Sequence, residues 1–247
     1  EAVQVIFSQR PKVASTLHFG CRITERRVEG RPDGSLLLTL GERFSQRDQA
    51  QKLDNHLGKI VRVNKDGSVP ADNPLVGRAR ALPEIWSWGH RNGQGATLAP
   101  DGSYWMTEHG AQGGDEINLP QPGRNHGWPV VSFGINYDGS PVGSGQRSAP
   151  GMAPPLHHWT PSIAPSGMAF LTSGRYGPTW RGNLFVGSLK FRYLDRIELK
   201  DGKVVAEHKL LEDLGQRIRD VRQGPDGLLY VLTDSPNGSL IRLLPKQ

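Results

Sequence analysis

Short apolar runs recur along the chain, and each follows a signal for a tight turn. Pro-Asp-Gly precedes the runs at residues 35–40, 103–107 and 228–233, and Arg-Gly-Asn precedes a fourth run at 184–189. Asp-Gly between two apolar runs is typical of a β-hairpin, because glycine adopts the positive φ that such turns require. A further apolar run at residues 3–7 also predicts a strand. The pattern therefore predicts an all-β chain built from hairpins.

These hairpin signals belong to a longer repeated unit. Asn92 lies as far before Asp101 as Arg217 lies before Asp226, so at least two units share one design. Each unit has a polar segment, a strand, a Pro-Asp-Gly turn and a second strand. Four such units along the chain predict a β-propeller, which protects its sheet edges by arranging the sheets radially. We expect residues 1–247 to form a single domain of this kind.

Other signals complete the predicted organisation. Turns at residues 66–67 and 201–202 suit the outer strands of the same units, and residues 45–57 predict a short polar turn or helix. The proline-rich segment 149–155 is predicted to connect two units. The chain opens at Glu1 rather than at a methionine, so we expect a processed or truncated N-terminus.

Composition excludes several other classes of protein. The 31 glycines and 19 prolines make up about a fifth of the 247 residues, which suits a turn-rich folded protein. No apolar stretch approaches the ~20 residues of a membrane helix, so no membrane span is predicted. The net charge of +6 comes from scattered basic residues, which argues against nucleic-acid binding. Cys21 is the only cysteine, which excludes an internal disulfide and a cysteine-based zinc site.

Polar residues mark both ends of each predicted hairpin. Antiparallel pairing brings the start of the first strand beside the end of the second, and in a propeller these ends collect at one rim. Arginine and lysine at such a rim suit a polyanionic ligand, and His18 suits a general base. The alternative is that these polar ends only face water. The strand starts carry His18, Arg91, Asn92, Ser162, Arg217 and Arg219, and the strand ends carry Glu42, Glu108, His109, Lys190 and Asp234.

The segment at residues 107–116 is a candidate cation site. It has three glycines among acidic and amide side chains, so its backbone carbonyls are candidates for a hard cation such as Ca²⁺. It lacks the ligand spacing of an EF-hand, and an ordinary polar turn is the alternative. The chain has no motif of a zinc protease, a serine hydrolase or a P-loop.

Eight ordered segments carry a resemblance to one family. They are HFGxR at 18–22, LGKIVRV at 57–63, DNP at 72–74, GHRNxQG at 89–95, EHG at 108–110, GDEIN at 114–118, GWP at 127–129 and QRIRDV at 216–221. Together they resemble the soluble quinoprotein aldose (glucose/sorbosone) dehydrogenases, from about residue 1 to residue 244. The ordered set carries the likeness, and no single segment does.

The resemblance implies a six-bladed β-propeller that binds pyrroloquinoline quinone (PQQ) and Ca²⁺. It implies oxidation of the C1 hydroxyl of aldoses to lactones, with an external electron acceptor and a periplasmic or secreted location. His18 matches the catalytic base that assists hydride transfer to PQQ, and Arg91 matches the residue that contacts the quinone oxygens. The carbonyls of Gly110 and Ala111 match Ca²⁺ ligands. The remaining cofactor-contacting positions are Asn92, His109, Asp115, Ser162, Lys190, Arg217 and Arg219.

The chain also departs from the pattern that it resembles. Gly93 and Ala111 stand where the family usually has prolines, and Arg43 stands where relatives often have an amide. Four units instead of six blades imply that about two blades are missing before Glu1. We expect the chain either to be a fragment or to have the gap covered by a partner or by a second copy in a homodimer.

Two other functions remain open at this stage. One is a catalytically inactive propeller that binds a carbohydrate or a protein. The other is a Ca²⁺-dependent lactonase, which fits less well because it would not need the cationic trio of Lys190, Arg217 and Arg219. Binding of PQQ by that trio would distinguish a dehydrogenase from the inactive propeller and from the lactonase.

Overall fold

The computed structural model describes residues 3–245, which form four antiparallel β-sheets and two short 3₁₀ helices, Arg47–Gln51 and Glu212–Leu214. The first sheet has β1 (Gly20–Val28), β2 (Arg31–Leu40), β3 (Lys59–Asn64) and β4 (Ile85–Trp88). The second has β5 (Gly93–Leu98), β6 (Tyr104–Glu108), β7 (Asp115–Asn118) and β8 (His157–Trp159). The third has β9 (Pro165–Phe170), β10 (Leu184–Ser188), β11 (Leu194–Lys200) and β12 (Lys203–Leu210), and the fourth has β13 (Ile218–Gln223), β14 (Leu229–Thr233) and β15 (Leu240–Arg242). The all-β prediction is confirmed.

Each sheet is a meander whose strands pair in chain order. The first strands β1, β5, β9 and β13 contact one another in sequence, so the sheets pack face to face about a common inner line. β9 and β10 are buried at every position, because neighbouring sheets cover both of their faces. The outer strand β12 instead alternates exposed and half-buried residues, as expected of a strand with one wet face.

Most of the predicted turns form where Asp-Gly occurs. Residues 101–102 lie in the β5–β6 hairpin, residues 226–227 lie in the β13–β14 hairpin, and residues 201–202 join β11 to β12. The prediction for the first Pro-Asp-Gly is wrong, because this segment does not form the turn. Glu29 and Gly30, at φ 50° and 77°, close the β1–β2 hairpin, whereas Asp33 lies inside β2 and accepts hydrogen bonds from the backbone and hydroxyl of Ser35.

Three other sequence predictions are corrected or refined. Residues 3–7 form no strand, and residues 66–67 end β3 without leading directly into β4. Residues 149–155 lie within the connection from β7 to β8, which pair in the same sheet, and therefore do not link two units. The short helix predicted within 45–57 is confirmed as Arg47–Gln51.

The core lies between neighbouring sheets. Buried clusters centre on Ile60 and Met106 between the first and second sheets, on Met168 between the second and third, and on Phe185 and Ile218 between the third and fourth. Burial of such side chains is the main stabilising contribution of a folded domain. Among residues 3–245, no helix is long and apolar enough to cross a membrane.

Buried hydroxyls also connect the sheets close to the inner line. Thr39 donates to the carbonyl oxygen of Gly93 (3.3 Å), and Thr107 donates to that of Ser166 (3.2 Å). At the third boundary the corresponding residue is Gly187, which lies five residues after Gly182 as Thr39 lies five after Gly34 and Thr107 five after Gly102. Ser166 supplies the hydroxyl there and donates to the carbonyl oxygen of Ile218 (2.6 Å).

Candidate active site

The strand ends that the sequence predicted to meet do lie side by side. Because the hairpins are antiparallel, the start of each first strand comes within hydrogen-bond distance of the end of the second. The bonded pairs are the Asn92 carbonyl with the His109 amide (3.2 Å), the Ile163 carbonyl with the Lys190 amide (3.1 Å), the Arg217 carbonyl with the Asp234 amide (2.8 Å), and the side chains of His18 and Glu42 (2.9 Å).

His18 is held by its side chain and by its backbone. Its Nδ1 lies 2.9 Å from Oε1 of the buried Glu42, so the carboxylate orients the ring and leaves Nε2 for another partner. The backbone of His18 has φ 51°, and its carbonyl oxygen accepts a hydrogen bond from the Arg43 guanidinium (2.6 Å). A Cβ at position 41 would lie 2.0 Å from that oxygen, which explains Gly41. The arrangement matches an oriented general base.

Arg91 is a buried cation beside this pair. Its side chain donates to the carbonyl oxygen of His109 (3.2 Å) and lies over the ring of Trp128 (5.2 Å). Within residues 3–245, no carboxylate pairs with the guanidinium, and its Nε has no hydrogen-bond partner. A buried, unpaired guanidinium is costly unless an anion reaches it, so this position favours an anionic ligand.

Arg91 and Glu42 line a cleft of about 280 Å³. Its lining also includes Ala111, Trp128 and the start of the 3₁₀ helix Arg47–Gln51. His18 contacts this cleft through Phe44, whose ring meets the His18 ring edge-on at 5.3 Å. The complete lining is Glu42, Phe44, Ser45, Arg47, Asp48, Arg91, Ala111, Trp128, Asn136 and Tyr137.

The glycine-rich loop is folded tightly around Asp115. One oxygen of this buried carboxylate accepts the Gly110 amide (2.8 Å), and the other accepts the Ser162 hydroxyl and the Ala164 amide. A Cβ at position 110 would lie 2.2 Å from the Gly113 carbonyl oxygen, so the loop requires glycine there. Asp115 therefore fixes the loop and joins it to the third sheet.

The carbonyls of this loop are the available cation ligands. No hydrogen bond within residues 3–245 uses the Gly110 or Ala111 carbonyl oxygen as acceptor. The described residues also contain no cluster of three or more His, Cys, Asp or Glu side chains suited to a metal. A cation at this loop would consequently depend on backbone oxygens, which suits a hard ion such as Ca²⁺.

His109 is neutral and has a defined tautomer. Its Nε2 lies 2.7 Å from the Pro165 carbonyl oxygen, which can only accept, so Nε2 carries the proton and Nδ1 keeps its lone pair. Burial lowers the pKa of His109, and the charge of Asp115 opposes this while Arg91 and His18 add to it. The ring thus offers an acceptor, without a charge, beside Arg91.

The other predicted cofactor contacts differ in whether their side chains already bond to other residues. Lys190 is exposed, with its ammonium 5.2 Å from the Phe191 ring centroid. Arg217 and Arg219 both donate to one oxygen of Asp234 at 2.8 Å, and the hydrogen bond from Arg219 lowers the pKa of that carboxyl. Asn92 already accepts the Gly20 amide (3.2 Å) through its side-chain oxygen. Lys190 is therefore the most available cation of the predicted trio.

The chain pattern singled out Glu108 but not the rest of the buried polar layer next to Arg91. Glu108 accepts hydrogen bonds from the Arg91 amide (2.7 Å) and from Asn118 (2.7 Å), and Asn118 also donates to Glu116 (3.0 Å). Burial, followed by the charge of Glu108, raises the pKa of Glu116 to about 8. His90 bonds to Glu108 at 3.0 Å. The quoted motifs GHRNxQG and GDEIN contain four of these residues and were the available signal.

Sequence reasoning also missed the cleft residues from two loops. Phe44 and Arg47 follow β2, and Asn136 and Tyr137 belong to the long connection between β7 and β8. Neither loop has a periodic pattern that would predict where its side chains point. Only the folding of that connection back over the first sheet brings them together.

Comparisons with known proteins agree with this fold. The glucose/sorbosone dehydrogenase family matches residues 1–242. Aldose sugar dehydrogenase YliI of Escherichia coli (strain K12) is 44% identical over 246 residues, covering 98% of this chain and 64% of the relative. An uncharacterized protein of Synechocystis, slr1608, is also 44% identical, covering 97% of this chain and 59% of the relative. The chain thus spans about three fifths of the length of these curated relatives.

Solved structures give the same result. A crystal structure of a glucose dehydrogenase superposes with a TM-score of 0.93 at 47% identity, covering 98% of this chain and 69% of that one. The PQQ-bound aldose sugar dehydrogenase of Streptomyces coelicolor gives a TM-score of 0.69 at 28% identity, covering 92% of this chain and 61% of that one. These neighbours support the propeller architecture predicted from the repeated hairpins.

Proposed function

The chain belongs to the glucose/sorbosone dehydrogenase family, and from that premise we propose that it contributes a PQQ-dependent site that oxidises the C1 hydroxyl of an aldose to a lactone. The observation that carries the proposal is the His18–Glu42 pair beside a cleft that also contains Arg91, which forms no ion pair within residues 3–245. An oriented base and a buried cation in one cleft suit oxidation of a hydroxyl group.

The residues present fit PQQ. The ligand carries carboxylates and a quinone, and the site offers the buried Arg91 guanidinium, which no carboxylate of the described residues pairs with. Asn92, His109 and Ser162 add polar groups, and Asp115 holds both the glycine-rich loop and Ser162 in place. Lys190, Arg217 and Arg219 would hold the carboxylates, because Arg and Lys bind such groups strongly. Ca²⁺ would lie against the carbonyl oxygens of Gly110 and Ala111.

PQQ, when bound, would supply an electrophilic carbonyl as the hydride acceptor. Three of the chain's own residues, His18, Glu42 and Arg91, would act on the proton and the charge. His18 accepts the proton of the C1 hydroxyl at Nε2 while Glu42 holds the opposite nitrogen. Arg91 stabilises the negative charge that develops in the cleft. The sugar thereby loses a hydride and a proton and becomes the lactone.

We further propose that the protein is periplasmic or secreted and passes its electrons to an external acceptor. The resemblance of its motifs to the quinoprotein aldose dehydrogenases supports this assignment. Further blades that would close the propeller, and a dimer, belong to the same proposal, since the chain spans only part of the length of its relatives.

A non-enzymatic propeller that binds carbohydrate or protein is the second candidate. One observation favours it: Arg217 and Arg219 already share Asp234, which reduces the positive charge available to a cofactor. Tight binding of PQQ by the chain would count against this candidate.

The decisive experiment is a titration of the purified chain with PQQ and Ca²⁺, followed by glucose, with the cofactor absorbance as readout. We expect PQQ binding and glucose-dependent bleaching. His18→Ala is expected to bind PQQ normally. Its rate of glucose-dependent PQQ bleaching should fall on the order of 10²-fold or more. His208→Ala, at a half-buried histidine on the outer strand β12, is the matched control. Bleaching at the wild-type rate in His18→Ala would remove the proposed base, and absence of PQQ binding would favour the binding module.

A further inference from the structure

A buried lysine supports the short helix at the edge of the cleft. Lys59 is fully buried, and no carboxylate within residues 3–245 forms an ion pair with it. Its ammonium instead donates to the carbonyl oxygens of Gln49 (2.9 Å), Ala50 (3.1 Å) and Leu57 (2.6 Å). A buried cation without a carboxylate partner is costly, so the fold alone would be served as well by an apolar side chain. What the ammonium does here is hold backbone, mainly that of the helix Arg47–Gln51.

Hydrogen bonds continue from this helix to the surroundings of Arg91. The carbonyl oxygen of Ala50 also accepts the Gly89 amide (3.0 Å), and the carbonyl oxygen of Gly89 accepts the Trp128 amide (2.9 Å). Gln51, at the end of the helix, donates to the carbonyl oxygen of Trp128 (2.7 Å). Arg91 follows Gly89 by two residues, and its guanidinium lies over the Trp128 ring (5.2 Å). The helix thus holds both the segment and the ring that place Arg91.

The contacts around the helix are too close to move independently. The side-chain amides of Gln51 and Asn125 bond to each other in both directions (3.1 and 2.8 Å). A Cβ at position 89 would lie 2.2 Å from the side-chain oxygen of Asn125, so this contact requires Gly89. Ala50 lies in one buried cluster with Ala111, whose carbonyl is a candidate Ca²⁺ ligand. Close-packed groups of this kind transmit a displacement to their neighbours.

We propose that Lys59 and Gln51 are positioning residues for Arg91. Lys59 fixes the helix from its buried side, and Gln51 transmits that placement to Trp128. The two side chains thereby set the affinity of the cleft for an anionic cofactor without being part of its lining. The effect on PQQ rests on the proposed function, because it takes Arg91 to contact the cofactor. The placement of Gly89 and Trp128 does not depend on that function.

Hydrogen exchange at single amides, measured by NMR on the full chain without PQQ, tests the placement. Lys59→Met leaves carbonyl oxygens of the helix without their donor, so we expect the Gly89 and Trp128 amides to exchange about tenfold faster. The Val186 amide, on the buried strand β10, should exchange at the wild-type rate. Lys65→Met, at an exposed lysine just after β3, is the matched control and should leave all three rates unchanged.

Gln51→Leu tests the second contact without disturbing a buried charge. Gln51 is half-buried, so this variant should fold, and we expect faster exchange at Trp128. Equilibrium titration with PQQ and Ca²⁺ should then give a dissociation constant about three- to thirtyfold higher in Gln51→Leu and in Lys59→Met than in the wild type. The double variant should lose less than the product of the two factors, because both side chains act through one helix.

The outcomes separate positioning from a general structural role. Equally faster exchange at Gly89, Trp128 and Val186 would mean that Lys59 only stabilises the fold, and would overturn the proposal. Unchanged exchange at Gly89 and Trp128 would overturn it too, as would wild-type PQQ affinity in a variant with faster exchange. If Lys59→Met does not fold, the same criteria applied to Gln51→Leu decide. A wild-type chain that binds no PQQ would count against the proposed function, whereas the exchange rates would still decide the placement.

Discussion

Arg22 on β1 and Asp220 on β13 form a two-point ion pair between the first and fourth sheets, although 198 residues separate them in the chain. The two contacts measure 3.0 and 3.3 Å, and each side chain is 22% exposed. Arg22 also donates to the Gln94 carbonyl oxygen on β5 (3.4 Å). One guanidinium thus links the inner strands of three sheets.

Removing this pair should loosen the packing of the inner strands. Asp220→Asn retains the shape but loses the charge-assisted contacts, so we expect a loss of about 1–2 kcal/mol in the free energy of unfolding. Urea unfolding followed by tryptophan fluorescence measures it. Glu198→Gln, which disturbs an exposed pair with His208, is the control and should change stability by about 0.5 kcal/mol or less. Equal effects of the two substitutions would contradict the structural importance of the inner pair.

Ser166 should be more important than an ordinary buried serine. Its hydroxyl donates to the Ile218 carbonyl oxygen at the sheet boundary where Gly187 provides no side chain. Ser166→Ala leaves that carbonyl buried without its donor, at an expected cost of about 1–3 kcal/mol. Thermal unfolding of Ser166→Ala should be compared with that of Ser140→Ala, whose hydroxyl bonds at an exposed turn. A Ser166 variant as stable as the Ser140 variant would show that this bond contributes little.

Lys59 should make a pH-dependent contribution to the free energy of unfolding. It is fully buried at the start of β3, where its ammonium donates to the carbonyl oxygens of Gln49 (2.9 Å), Ala50 (3.1 Å) and Leu57 (2.6 Å). Burial lowers its pKa from 10.5 to about 7. Between these two values the unfolded chain binds a proton that the folded chain has released, so this group makes the free energy of unfolding rise with pH.

Comparison with Lys59→Met isolates that contribution. The free energy of unfolding of the wild type minus that of the variant should increase from about pH 6.5 to about pH 9. Lys59 titrates differently in the folded and unfolded wild-type chain, whereas the methionine of the variant does not titrate. Urea unfolding at several pH values measures the difference. Lys200→Met, at the exposed end of β11, should show no such trend. A difference for Lys59→Met that stays constant with pH would indicate that Lys59 remains charged in the folded chain.

Glu42 should affect catalysis rather than cofactor binding. Glu42→Gln removes the carboxylate that orients His18, so we expect glucose-dependent bleaching of PQQ to slow on the order of 10²-fold. The affinity for PQQ should remain near that of the wild type, because Glu42 bonds to His18 rather than to the cationic groups. Stopped-flow absorbance gives the rate, and equilibrium titration gives the affinity. Parallel losses of both would mean that Glu42 holds the site together instead of orienting the base.

The hairpins could be predicted largely because their signals are local. Asp-Gly at 101–102, 201–202 and 226–227 lies between two runs that pair directly, so four or five residues determine each turn. The prediction failed at 33–34 because Gly30 lies nearby and closes the hairpin first. There Asp33 bonds to Ser35 within the strand, which the sequence alone does not distinguish from a turn.

Local signals also predicted one part of the candidate site, and only the fold decided the other. Antiparallel geometry was enough to place His18 beside Glu42 and Asn92 beside His109, and the resemblance supplied their implied roles. The chain pattern contained no indication that Asp234 would pair with both Arg217 and Arg219. Phe44 and Tyr137 likewise meet only because a long connection folds back across the first sheet.

The sequence by itself determined the all-β class, the order of the repeated hairpins and the kinds of side chain at their ends, since these depend on turn chemistry and strand periodicity within a few residues. Only the tertiary structure decided which distant groups neutralise one another, which remain unpaired and which rings line the cleft. Among the described residues, Arg91 has no carboxylate partner whereas Arg22 pairs with Asp220, although the two side chains are chemically identical. Their different surroundings arise from the packing of sheets far apart in the chain, which sets distance and burial, and with them the strength of every charged contact.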